Sequence, residues 1–105
     1  MMFVVMNRLP VNPDYAEQFE ERFANRAREV DRMPGFIRNQ VLRPGSSAEP
    51  YIVLTYWQSR QDFEAWTSSD EFRRGHARSG TLPPETFLGH GKLETFEVIL
   101  DTELK

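Results

Sequence analysis

YIVLTYWQSRQDFEAW, residues 51–66, passes from one kind of backbone to another within a single run. Tyr51 to Gln58 (YIVLTYWQ) is crowded with β-branched and aromatic side chains and reads as a strand. Ser59, with Asp62 three residues on, resembles a capping box. Phe63 and Trp66 then lie one turn apart on the short helix that such a cap would start. A strand that feeds directly into a helix is half of a β–α alternation, and what stands on either side decides the fold.

Upstream, Pro44-Gly45-Ser46-Ser47-Ala48-Glu49-Pro50 is a loop, and Phe36 to Arg43 reads as a strand before it. Met33-Pro34-Gly35 ends a helix that Asn12-Pro13 opens, with Asn as N-cap and Pro at the first helical position. Between them Ala16, Phe19, Phe23, Ala27 and Val30 follow helical spacing. Residues 2–9 form a strand with Met2, Val4 and Met6 on one side and Phe3, Val5, Asn7 and Leu9 on the other. Downstream, Ser69 caps a second short helix carrying Phe72 and His76. A loop with two prolines and three glycines spans residues 78–91, and Lys92 to Asp101 is the last strand. The order βαββαβ is the ferredoxin-like, α+β pattern. At 105 residues the chain is expected to be one domain, 1–105, too short for two cores.

In such a fold helices cover one sheet face. The first and last strands are apolar on both sides, so the second face also needs cover. Pairing of two sheets from two copies supplies it, and a homodimer is expected. The composition is that of a globular chain, 39% hydrophobic and 28% charged. A net charge of −3 offers no electrostatic footprint for nucleic acid. No cysteine is present, which excludes disulfides, thiolate ligands and a cysteine nucleophile. The N-terminal apolar run, MMFVVM, is too short for a signal peptide or a membrane span, and a cytoplasmic location is expected.

Four features could carry chemistry. Asn7 places an amide among core positions, where it needs hydrogen-bond partners; a backbone-satisfied core Asn is the ordinary alternative. His76 lies one turn beyond Phe72, and an imidazole beside apolar side chains suits a metal or haem-iron ligand; a lone helix-end His is the ordinary alternative. Trp66 reads alone as a packing aromatic, as does Trp57. Arg22 and Arg26, four apart, flank Phe23, so two guanidiniums could pair with a ligand's carboxylates while the ring packs on its body; a solvated helix edge is the ordinary alternative. His90, between Gly89 and Gly91, is less constrained. The only Gly-x-Gly, residues 89–91, has Glu94 where a dinucleotide fingerprint needs its third glycine, so no bound NAD or flavin is expected. Together these residues supply a ligand for iron, an amide, an indole and anion partners on a small apolar domain.

Across nearly its whole length the sequence resembles the IsdG-type haem-degrading monooxygenases of the antibiotic biosynthesis monooxygenase superfamily, and within them the mycobacterial branch. The resemblance is carried by VVMNRLPV, by ERFANRAREVDRMPGF, by YIVLTYWQSRQDFEAW leading to the His76 helix, and by LETFEVILD. It implies that His76 is the proximal ligand to haem iron, that Asn7 lies on the distal side, and that Trp66 presses the porphyrin out of plane. It implies that haem is both cofactor and substrate, opened with O2 and external electrons so that iron is released. It also implies a dimeric α/β barrel. Arg22 and Arg26 match positions near the haem, with Phe23 between them, where the two guanidiniums could pair with the propionates. A separate electron donor or small reductant is required. Three readings compete: a cofactor-free oxygenase of a phenolic or quinol-like substrate, a haem carrier or sensor without activity, and a purely structural dimeric domain.

Overall fold

The computed structural model describes residues 2–25, 30–46, 48–79 and 82–103, with only the backbone for 75–79. Four strands, β1 (Phe3–Leu9), β2 (Phe36–Leu42), β3 (Tyr51–Trp57) and β4 (Lys92–Glu97), form one sheet in the order β2-β3-β1-β4. Every neighbouring pair is antiparallel. The helices are α1 (Ala16–Ala24), α2 (Arg60–Thr67) and α3 (Asp70–Ser79). This is the ferredoxin-like order expected from the sequence. No helix among the described residues is long and apolar enough to cross a membrane.

Local chemistry sets each boundary. The Asn12 side chain accepts from the Asp14 amide, and Pro13 begins a 3-10 turn (Pro13–Tyr15) that runs into α1. Asn12 also ties this start to a later 3-10 turn, Pro84–Thr86: its backbone N–H donates to the Thr86 carbonyl and its side chain to the Glu85 carbonyl. The Ser59 hydroxyl accepts from the Asp62 amide and donates to the Asp62 carboxylate, so the predicted cap of α2 is present.

Gly35 stands at the mouth of β2 with φ +81°, a conformation in which a Cβ is strained. A Cβ there would also overlap the Asp62 carboxylate, and the Gly35 carbonyl accepts from the Gln58 amide. The turn before β2 and the start of α2 therefore fit against one another.

Two expectations are corrected. The first helix was expected to run through Val30 to the Met33-Pro34-Gly35 stop, but α1 stops at Ala24. There the Asn25 backbone and side chain both donate to the Glu21 carbonyl, closing the last turn. Ala27 lies outside the described residues, and Val30 belongs to a separate 3-10 turn, Val30–Arg32. The last strand was expected to reach Asp101 but ends at Glu97. Glu97 pairs with Phe3, the first residue of β1, so the ladder has no further partner strand. Ile99 and Leu100 follow it, 87% and 81% exposed.

On the helix side of the sheet the core forms two clusters. Phe3, Val5, Val30 and Trp57 make the first, with Phe63 and Trp66 of α2 packed on it. Val11, Phe19 and Tyr51 make the second, with Leu9 and Phe23 packed on it. Trp57 and Phe19 are wholly buried. Each contributes about 1.5–3 kcal/mol by removing apolar surface from water. The opposite face carries Val4, Met6, Ile52, Leu54 and Phe96, bounded on the β2 edge by Arg38 lying over the Tyr56 ring and by the Tyr56 hydroxyl on Gln40.

Candidate active site

Asn7 lies on β1 where the two clusters meet. Along the strand its same-side neighbours are Val5 of the first cluster and Leu9 of the second. Across the sheet they are Val53 and Leu93. None of these four side chains can donate or accept a hydrogen bond. The amide is half-buried among these four apolar side chains, with Thr55 and Thr95 the next residues on the same side of β3 and β4.

The walls on either side are aromatic. On the first, Trp66 packs over the Phe3–Trp57 cluster and meets Phe72 of α3. The turn between α2 and α3 is stitched by Ser69, whose hydroxyl donates to the Trp66 carbonyl at 2.6 Å and accepts from the Phe72 amide at 3.1 Å. His76 is one helical turn past Phe72 in α3; its side chain lies outside the described residues. On the second wall, Phe23 packs against Phe19 with ring centroids 4.9 Å apart. Arg22 beside it is half-buried in the last turn of α1. Arg26 lies outside the described residues. The structure thus brings Asn7, Trp66 and Phe23 to one side of the sheet, with Trp66 and Phe23 on opposite clusters.

Two of the clefts formed by described residues are lined by neither Asn7 nor Trp66. One, of about 730 Å³, opens between α1 and the β2 edge and is lined by Phe23, Phe36, Asn39, Val41 and Tyr51 among others. At its rim Glu20 binds the Arg43 guanidinium, with Nε to Oε2 at 2.8 Å, and accepts from the Tyr51 hydroxyl. Arg43, and then Tyr51, hold the Glu20 carboxyl down at about 2, against the opposing effect of burial. Burial, and then its hydrogen bond to Glu20, push the Tyr51 hydroxyl up. The other cleft, about 250 Å³, lies at the sheet end and holds His90 with Arg8, Glu49 and Lys92. Arg8 there is paired with Glu94, whose carboxyl it holds below the usual range.

Sequence reading missed Val53 and Leu93 beside Asn7, and the Glu20–Arg43–Tyr51 group. Alternation along YIVLTYW puts Val53 on the side of Tyr51 and Trp57, but only the strand register brings it to Asn7.

Residues 2–78 match the family model described as antibiotic biosynthesis monooxygenase. A mycobilin-producing haem oxygenase of Mycobacterium tuberculosis is 39% identical over 101 residues, which cover 96% of this chain and 92% of that protein. A staphylobilin-producing haem oxygenase of Staphylococcus haemolyticus is 36% identical over 77 residues, covering 71% of this chain and 73% of its own. Among solved structures, the haem degrader MhuD of M. tuberculosis, with two haems bound in its active site, superposes with a TM-score of 0.76 at 35% identity; 94% of this chain and 97% of that one are covered. The chain belongs to the antibiotic biosynthesis monooxygenase family.

Proposed function

We propose that this chain is a haem-degrading monooxygenase that takes haem as cofactor and substrate in the space between the two aromatic walls. One observation carries the reading. The Asn7 amide lies among apolar neighbours on the helix-covered face of the sheet, between the cluster that carries Trp66 and the cluster that carries Phe23. A tetrapyrrole is a flat apolar ring with two carboxylates, and the residues fit it: indole and phenyl walls for the ring, the Asn7 amide between them, and an arginine, Arg22, beside Phe23. The 39% identity to a haem oxygenase across 96% of the chain supports the same ligand.

In this reading His76, on the helix that Phe72 anchors to Trp66, would hold the iron. Asn7 would offer its Nδ2 hydrogens to the bound group. Trp66 would pack against the ring. Arg22 and Arg26 flank Phe23 and pair with the propionates. The aromatic walls exclude water, which strengthens the amide's hydrogen bond. When bound, haem supplies an iron that activates O2 and the ring that is opened. The chain acts as one domain, 1–105, in the cytoplasm, takes electrons from a separate donor or small reductant, and works as a homodimer whose apolar faces, around Val4, Met6, Leu54 and Phe96, cover one another.

Haem titration followed by ascorbate in air, with catalase present, tests the reading. A Soret band should form on titration and then vanish as iron is released. A band that forms and persists would indicate a carrier. No band, with oxygen uptake on a quinol, would indicate the cofactor-free reading.

A further inference from the structure

Gly91 immediately precedes β4 and does not have the positive φ that makes glycine necessary at Gly35. Its requirement is space. A Cβ on residue 91 would lie 3.2 Å from Asn7 Oδ1, 3.3 Å from the Arg8 carbonyl oxygen and 2.9 Å from Leu9 Cδ2. Leu9 Cδ2 is the end of a flexible side chain and can turn aside. The Arg8 oxygen is backbone and yields less. The Asn7 amide would have to give by a few tenths of an ångström. Gly89, two residues earlier, is different: a Cβ there would meet only Pro10 Cγ, at 3.9 Å, an ordinary contact.

We infer that Gly91 is a positioning residue for Asn7. Its bare α-carbon lets the entry to β4 close against the carboxamide oxygen, which leaves Nδ2 as the end of the amide available to the site. The flanking Val53 and Leu93 side chains offer no hydrogen bond that could orient the amide, so close packing does it instead. Chemistry favours the same orientation. A carbon-bound hydrogen stands where the Cβ would be, and it is a weak donor that suits an oxygen and not an NH2 group. The inference rests on the role proposed above for Asn7, since an amide with no task would need no orientation.

Gly91→Ala tests it, with Gly89→Ala as control and Asn7→Ala alone and combined with Gly91→Ala. Three quantities are read: the Asn7 side-chain amide resonance in haem-free protein, the C–O stretch of the ferrous carbonyl complex, and turnover. Gly91→Ala should move the resonance and the stretch and slow turnover roughly three- to tenfold, as small misplacements do. Haem Kd should be unchanged. The slowing should vanish in the Asn7→Ala background, and Gly89→Ala should match the wild type. Wild-type behaviour of Gly91→Ala, equal slowing with and without Asn7, or equal slowing by Gly89→Ala overturns the inference. A slow Asn7→Ala beside a normal Gly91→Ala removes this inference alone, whereas a normal Asn7→Ala removes the Asn7 assignment as well. If Gly91→Ala does not accumulate folded, Leu9→Val relieves the 2.9 Å contact, and the same comparisons are made in that background.

Discussion

Trp66 and Phe72 meet edge to face, with ring centroids 5.4 Å apart and planes at 89°. That contact joins α2 to α3, and it fixes the helix that contains His76 to the wall that Trp66 forms. Phe72→Ala should therefore weaken two things at once. Stability should fall by about 1–2 kcal/mol, less than for a fully buried ring. Haem affinity should fall further than stability accounts for, because α3 loses its anchor. Urea unfolding and Soret titration on the same preparation separate the two, and unaltered haem affinity would detach His76 from this anchor.

Asn7→Ala should bind haem as the wild type does and turn it over more slowly. One hydrogen bond to a charged acceptor is worth about 1.5–3 kcal/mol, which is on the order of 10- to 100-fold if it acts only in the transition state. Single-turnover Soret decay at full haem occupancy gives the ratio, and a ratio of one takes Asn7 out of the reaction.

His76→Ala should abolish the histidine-ligated signature in the haem spectrum, and added imidazole should restore part of it. A spectrum identical to the wild type would transfer the role to His90, which lies in the cleft with Arg8 and Lys92.

The Glu20–Arg43–Tyr51 group makes stability depend on pH at the acid end. The folded value of Glu20 is about 2, below the ordinary 4.5, so its stabilisation is complete above about pH 4.5 and drains away as pH falls toward 2. Glu20→Gln should be the less stable protein at neutral pH and should converge on the wild type in acid. The effect should be modest, since the Arg43 and Glu20 side chains are 73% and 32% exposed. Urea midpoints of both proteins, measured at neutral pH and again near the acid limit, check the sign; a gap that widened in acid would refute it.

The parts legible in the sequence are those that local chemistry writes. Asn12, Ser59 and Ser69 each cap a helical segment as their spacing indicates, because a cap bonds to an amide two or three residues away. Asn7 was legible as an amide breaking an apolar alternation. Illegible were relations that depend on register or on distant segments. Val53 and Leu93 reach the sides of Asn7 only once β1 has paired with β3 and β4. Glu20 finds Arg43 and Tyr51 only when α1 has docked on the sheet. The stop at Asn25 was hidden for another reason: the apolar spacing continues to Val30, although Val30 packs in a different cluster from Phe19.

Gly35 sets a limit on how this protein can be engineered. Replacing glycines by alanine is a common route to heat resistance, since it restricts the unfolded chain. Applied at residue 35, that recipe would drive a methyl group into the Asp62 carboxylate, which accepts from the capping Ser59 hydroxyl of the helix that bears Trp66. The harm would surface as a loosened Trp66 wall, well away from the altered position in the chain. At Gly45, by contrast, an added methyl would meet nothing within 4 Å, so the same replacement there is free of any clash.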